Sequence, residues 1–475
     1  MIGKLKDIVN KRTIIILTLM VCCLHLFASV FRFFYPYTFY LFTFFEQLTL
    51  DALGIIVGLL LIQEDVEHRK LYLKAYFSKE QILLTGIYIA LILSSFFNAL
   101  LNNMDIWAGN AGYRFDMFVC VFIIFPVGRF YNSKEKVYKV VRRIVELFLF
   151  FLAAVMGFIL INTFQGKVLH TIVEGNIGMA VFNNTLQFSV NCHPNTVGAY
   201  SGLLFLLCFY FVWKSKGVKK VLYITESIIH YVVLALSNSR GAYFSMLCVA
   251  ACMTAVIVYY VLPHKNTYLK WMKTFLAGIL IFGLLIILRD TVFSLYAMIT
   301  PPKTIVLNDS GKTIQQDEVI RQLNIGFVNN RHKIWKCTLH LIAEKPLYML
   351  LGVTPYQVSV MLGDRLEWEI DVYTHNQILE VAADIGIPAM VLFLVFSFLV
   401  AEKCLKMGFE SVVETDQWKR KLLLLILLFL ALANVMEATL LFYDFFSGSV
   451  FILLCGWVCK QFQMGQQRSD ENTSN

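Results

Sequence analysis

The chain has 475 residues, 58% of them hydrophobic and 15% charged, where ordinary soluble domains carry about 25% charged residues. Apolar runs of about 17–25 residues recur along it, each long enough to cross a hydrocarbon core of about 30 Å as a helix. This excludes a soluble globular enzyme and points to an all-α polytopic membrane protein. The formal charge of +9 does not indicate a nucleic-acid partner, because Lys and Arg gather in short loops between apolar runs.

About twelve transmembrane helices are expected, near 13–34, 38–62, 82–101, 115–128, 144–163, 194–213, 221–238, 241–262, 274–288, 386–401, 422–440 and 443–459. The first run is too long for a signal-peptide core and lacks a small-residue cleavage site, so it counts as a span. Glu46 and Asp51 interrupt the second. Basic residues mark the loops at 129–143, 214–220 and 265–273. With Lys4, Lys6, Lys11 and Arg12 on the cytoplasmic side, alternation puts these three loops there too, as the positive-inside rule requires. It also puts both termini in the cytoplasm and the long polar stretch 289–385 outside. The expected organisation is an N-terminal bundle of about nine helices (1–288), one large extracytoplasmic loop (289–385), C-terminal transmembrane helices (386–460) and a disordered cytoplasmic tail (461–475).

Inside the loop, 331–345 predicts an amphipathic helix. Trp335, Leu339 and Ile342 recur at i, i+4 and i+7, and Pro346 follows. Such a helix suits the membrane surface, with Trp335 at the interface. The stretch 346–363 reads as irregular, and a short helix is expected from near His375 to Asp384-Ile385-Gly386, before Pro388 opens the next span. The eleven cysteines show no CxxC pair or metal-ligand spacing, and no metal site is expected. Cys248/Cys252 and Cys455/Cys459 sit one helical turn apart, which packing explains. Cys192 and Cys337 fall in outer loops, where a disulfide is one option.

Hydrophobic spans need little more than apolar residues, so chemistry concentrates where polarity returns on the outer side. Three places qualify: the 164–193 loop, ending Asn191-Cys192-His193-Pro194-Asn195; the turn Ser237-Asn238-Ser239-Arg240-Gly241; and the long loop. Arg240 stands at the outer end of two apolar helices, where a guanidinium needs a partner or a ligand, and its planar fork suits phosphate. Gly241 allows the chain to turn and a large ligand to approach. Arg331 opens the amphipathic helix and offers a second cation. His375 is the natural general base, with Asn376 and Glu380 placed to orient it or to bind hydroxyls. His193 stands similarly before Pro194.

Each has a plainer reading: a snorkelling Arg240 against lipid headgroups, a solvated Arg331 beside Lys333 and Lys336, and histidines that cap helix starts. Glu46, Asp51, Glu146, Glu226 and Glu437 lie within or near spans. Together they suggest a proton path; singly, interfacial placement or interhelical pairing explains them. The sequence has no P-loop, HExxH or G-x-S-x-G motif.

Taken in order, Leu236-Ser237-Asn238-Ser239-Arg240-Gly241, Arg331 to Trp335, Leu351-Gly352-Val353 and His375-Asn376-Gln377-Ile378-Leu379-Glu380 with Gly386 resemble the O-antigen ligase and O-antigen polymerase superfamily of bacterial surface-polysaccharide proteins. His193-Pro194-Asn195 with Gly198 is a weaker part of the same resemblance, which covers roughly 190–400. It implies a multi-span glycosyltransferase fold that uses lipid-phosphate sugars, in the bacterial plasma (inner) membrane. It also implies metal-independent and cofactor-free transfer of a glycan from an undecaprenyl-diphosphate carrier to an acceptor glycan on the outer face. Arg240 and Arg331 would then bind the diphosphate, His375 would deprotonate the acceptor, and Asn376, Glu380, His193 and Trp335 would bind or orient substrate. Partners of such a pathway are membrane lipid, a flippase and a chain-length regulator. Polymerisation of capsular or exopolysaccharide repeat units comes ahead of ligation to a lipid or protein acceptor. A transporter is the reading from another class, but the two halves show no internal symmetry and an outer loop of about 95 residues has no evident use in alternating access.

Overall fold

The computed structural model describes residues 78–102, 105–130, 136–165, 177–182, 185–190, 194–261, 267–299, 305–306, 313–314, 331–367, 372–409, 418–435, 437, 440–441 and 445–473. The expected spans 13–34 and 38–62 lie outside them, as do His193 and Cys192.

Helix α1 (Lys79–Leu101) begins at Ser78, whose hydroxyl accepts the Gln81 amide at 3.3 Å. Short helices α2 (Asp105–Gly109) and α3 (Ala111–Val119) lead through a π-helical turn (Cys120–Ile124) to α4 (Phe125–Phe130) and the long α5 (Lys136–Phe164). A hairpin of β1 (Ile177–Phe182) and β2 (Thr185–Val190), with Phe182 opposite Thr185 at its tip, precedes α6 (Pro194–Lys214), α7 (Val218–Ser237), α8 (Arg240–Val261) and α9 (Thr267–Ile299). Two-residue strands β3 (Ile305–Val306) and β4 (Thr313–Ile314) pair in the long loop. Four shorter helices follow: α10 (Arg331–Glu344), α11 (Pro346–Leu351), α12 (Pro355–Leu366) and α13 (Gln377–Ile385). The chain ends on α14 (Ile387–Phe409), α15 (Trp418–Val435) and α16 (Phe445–Thr473).

Among the described residues, six helices (α1, α6, α7, α8, α9 and α14) are long and apolar enough to cross a membrane. The protein is therefore an integral membrane protein, and the elements among its described residues are helical apart from the two hairpins. The ten expected spans that fall on described residues all coincide with helical segments, although α15 stops at Val435 rather than 440.

Several boundaries differ from the sequence expectation, each for a local reason. Helix α9 does not stop at 288: it runs 33 residues, about 50 Å at 1.5 Å per residue, and carries Arg289 inside it. The stretch 346–363 is not irregular. Pro346 and Pro355 each stand at the first helical position of α11 and α12, where a missing N–H costs nothing. The buried stripe of α10 is Ile334, Thr338, Leu341 and Ile342, while Leu339 is 55% exposed, so the inward face lies one residue from the expected one. The tail expected to be disordered is helical through Thr473.

Packing in the bundle relies on small residues. Gly128 of α4 and Gly456 of α16 face each other: a methyl on Gly128 would collide with the Leu453 carbonyl, and one on Gly456 with the Phe125 carbonyl. Removing Cβ lets two backbones approach where lipid gives helices no hydrophobic reason to associate. A methyl on Gly202 of α6 would lie 2.8 Å from Phe429 of α15 and 3.7 Å from Met246 of α8, so three helices meet at that level.

Candidate functional site

The Gly202 crossing fixes which helix ends share a face. Gly202 is eight residues into α6, Met246 six residues into α8, and Phe429 six residues before the end of α15. Each lies about 9–12 Å from its helix end at 1.5 Å per residue. The starts of α6 and α8 and the end of α15 therefore stand together at one end of the bundle.

One half of the site is the turn between α7 and α8. Asn238 closes α7 in the left-handed conformation, with φ 56°; Asn and Gly adopt that conformation at low cost. The turn is therefore made by Asn238, and Gly241, expected to make it, is the second residue of α8. Ser237 ties the turn down, its hydroxyl donating to the Leu234 carbonyl at 2.7 Å and accepting the Ser239 amide at 3.3 Å. Gly198 of α6 lies so close beneath that a methyl there would meet Ser239 Cβ at 2.5 Å, which accounts for a glycine after His193-Pro194-Asn195.

Arg289 of α9 completes this half. Its guanidinium, 3% exposed, donates from Nη2 to Asn238 Oδ1 at 2.8 Å. It lies over the rings of Tyr243 (5.4 Å) and Phe293 (5.1 Å) and 3.7 Å from the Asp290 carboxylate. One turn earlier in α9, the Leu285 carbonyl accepts Tyr243 Oη at 2.6 Å and also Tyr231 Oη. Tyrosines from α7 and α8 thus pin α9 where its arginine reaches the turn. Arg240 opens α8 at this point, half-buried.

The other half is built by the long loop. Arg331, the first residue of α10, donates from Nη2 to Glu437 Oε1 at 2.8 Å, and His375 Nδ1 lies 2.9 Å from Glu437 Oε2. The three side chains are 18%, 19% and 6% exposed, with the carboxylate innermost. His375 is itself left-handed, with φ 51°, a conformation that costs about 1–3 kcal/mol in a non-glycine residue and persists only where neighbours over-determine it.

Those neighbours are visible. Trp335 Nε1 donates to the Thr374 carbonyl at 2.9 Å, so the indole faces the His375 loop. Thr374 gives its amide (2.8 Å) and its hydroxyl to Glu380 Oε2. Asn376 Oδ1 caps α13, accepting the amides of Ile378 at 3.0 Å and Leu379 at 3.1 Å, and its Nδ2 donates to the Val435 carbonyl at 3.1 Å. Gln377 Oε1 accepts the Leu440 amide at 2.8 Å.

A glycine interlock forms the floor. Gly352 and Gly386 both have positive φ (69° and 92°), and a methyl on either would strike the other segment's backbone at Asp384 or Leu350. That proximity lets Val353 N–H reach the Ala383 carbonyl at 2.7 Å and Thr354 N–H reach that of Asp384 at 2.9 Å. From α1, Ser94 donates to the Asp384 carbonyl at 3.0 Å and Asn98 to that of Gly352 at 3.2 Å. The loop is thereby bolted to a transmembrane helix.

Of the residues singled out in the sequence, Arg331, Trp335, His375, Asn376 and Glu380 come together around 374–380, while Arg240 stands at the helix turn. Glu380 is fully buried and holds Thr374, and Asn376 is a helix cap that also grips α15. Two residues gain a place that sequence reasoning did not give them. Arg289 had looked like the polar end of a span, and Glu437 like one interfacial carboxylate among several. The signal for Glu437 was its position just past an apolar run, in the interval 436–444 that separates α15 from α16. Cys337 is a free thiol on α10.

A polar site built where several transmembrane helices end, and roofed by a helical loop, defines the class: an integral membrane protein with its chemistry at one end of the bundle. A sequence model of the family described as O-Antigen ligase matches residues 227–394, so this part of the chain is similar to that family. The matched region takes in the Ser237–Gly241 turn, Arg289, Arg331 and His375. No curated protein matches the chain. The family implies glycosyl transfer between a lipid-linked polysaccharide and an acceptor.

Proposed function

We propose that the protein is an outer-face glycosyltransferase of the bacterial plasma membrane, with both termini cytoplasmic, that polymerises polysaccharide repeat units carried on undecaprenyl diphosphate. The observation that carries this reading is the meeting of Arg331 and His375 at one carboxylate, beside the helix ends where Arg240 stands. It puts a cation for a leaving diphosphate and an imidazole for an attacking hydroxyl in one place.

In the proposed reaction the acceptor hydroxyl oxygen bonds to the anomeric carbon of the donor glycan. The bond from that carbon to the diphosphate oxygen breaks, and the lipid diphosphate leaves with the electron pair. The hydroxyl proton passes to His375. Charge growing on the diphosphate is met by Arg240 and Arg331, the latter held in place by Glu437 before the donor arrives. In this reading the transfer is metal-independent because guanidinium groups take the electrostatic role.

The test is conversion of purified lipid-diphosphate oligosaccharide, with a defined glycan acceptor, by the protein reconstituted in liposomes. Wild type is expected to lengthen the glycan. Arg240→Ala, Arg331→Ala and His375→Ala are each expected to abolish lengthening while inserting into membranes normally. Retained activity in His375→Ala would remove the base assignment, and transfer of a single unit to a lipid or protein acceptor would make the protein a ligase.

A further inference from the structure

Glu437 lies beyond the family-matched region and outside the motifs of the loop, yet it touches both Arg331 and His375. It sits in neither helix. Helix α15 ends at Val435 and α16 starts at Phe445, and the intervening chain is gripped by Asn376 at the Val435 carbonyl and by Gln377 at the Leu440 amide. The two residues that follow His375 therefore also hold the segment that presents its carboxylate. An ionised carboxylate only accepts hydrogen bonds, so its contact sets the hydrogen on His375 Nδ1 and makes Nε2 the basic nitrogen. Its second oxygen takes Arg331.

The consequence is competition. A diphosphate that engages Arg331 draws that guanidinium away from Glu437 Oε1, and leaves more of the carboxylate's charge to His375. We infer that Glu437 is a positioning residue that couples the two substrates: it restrains Arg331 until the donor's diphosphate arrives, and then supports His375 as base for the acceptor. This rests on the glycosyl-transfer reading above. It adds that the base reaches full strength only when a donor is present, so an acceptor alone is not activated.

The inference predicts effects of opposite sign. Glu437→Gln keeps the shape but loses the charge. It is expected to lower kcat at least tenfold while leaving donor KM unchanged or lowering it, because the charge of Glu437 no longer competes for Arg331. Binding of undecaprenyl diphosphate, which carries the anion without sugar, is expected to be equal or up to several-fold tighter. In a His375→Ala background, where any residual rate is small, Glu437→Gln is expected to cost nothing further, since its effect on kcat runs through the imidazole. Glu437→Asp, which keeps the charge on a shorter arm, is expected to recover part of kcat, and it serves as the variant if Glu437→Gln does not fold.

A Glu437→Gln protein with kcat within twofold of wild type would overturn the inference. So would parallel losses in kcat and donor binding, which mark a merely structural residue. An inactive wild type under the same conditions would instead sink the transfer reading, and this inference with it.

Discussion

The arginine that matters least in the sequence pattern has the most confined surroundings. Arg289 gives its Nη2 to Asn238 and its faces to Tyr243 and Phe293, at 3% exposure. A buried guanidinium is retained only when hydrogen bonds and ring faces replace its water. Here the recipient of the bond is the left-handed residue that turns α7 into α8 and so sets where Arg240 begins. Replacing Arg289 with Met keeps most of the volume but leaves Asn238 Oδ1 buried without its donor, at a cost of about 1–3 kcal/mol. Arg289→Met is therefore expected to fold with a lowered melting temperature and to lose at least tenfold in glycan lengthening. Thermal unfolding in detergent alongside the transfer assay checks this, and activity equal to wild type would detach Arg289 from the site.

Elements show why some of the architecture was legible in the sequence and some was not. Apolar runs announce helices because lipid demands internally satisfied backbones, so the spans were found. The His375 helix was found because Asn376 and Gly386 are strong start and stop signals on either side of it. Helix α9 was cut short because Arg289-Asp290 looks like the edge of a membrane, and only tertiary contacts from Asn238 and Tyr243 make it an interior position. Helices α11 and α12 were missed because Pro346 was read as ending the preceding helix and 346–363 as irregular, whereas Pro346 and Pro355 each start a helix. Glu437 showed only a carboxylate past an apolar run, and its pairing was hidden because its partners lie 106 and 62 residues away. Helix contacts carry a prediction of their own at Gly456. A leucine there cannot fit against the Phe125 carbonyl and Gly128 Cα without separating α4 from α16. Gly456→Leu is expected to reduce the yield of monodisperse protein severalfold, whereas Gly408→Ala, with open space around it, is expected to leave yield unchanged. Equal yields for both would show that the glycine crossing is dispensable.

Across the whole molecule, the polar groups divide between two ends. At one end Glu80 of α1 joins Lys403 of α14 and lies 3.6 Å from Arg129, and Lys219 meets Glu146 at 3.1 Å. At the other, Asn98 of the same helix α1 holds the glycine interlock beneath the His375 loop. Residues 80 and 98 are 18 positions apart in one helix, or about 27 Å along its axis, close to the roughly 30 Å of a hydrocarbon core. The basic end and the site end are thus separated by about one membrane thickness. Short loops rich in Lys and Arg at one end obey the positive-inside rule only if the opposite end, with Arg331 and His375, faces outward. The two exposed positions Lys333, on α10, and Lys216, between α6 and α7, report on opposite ends. In a background with Cys192→Ser and Cys337→Ser, Lys333→Cys is expected to react with a membrane-impermeant maleimide in intact cells, and Lys216→Cys only after permeabilisation. Labelling of Lys216→Cys in intact cells, with Lys333→Cys protected, would invert the molecule. It would then put the proposed site on the cytoplasmic face, where units carried outward for polymerisation are no longer within its reach.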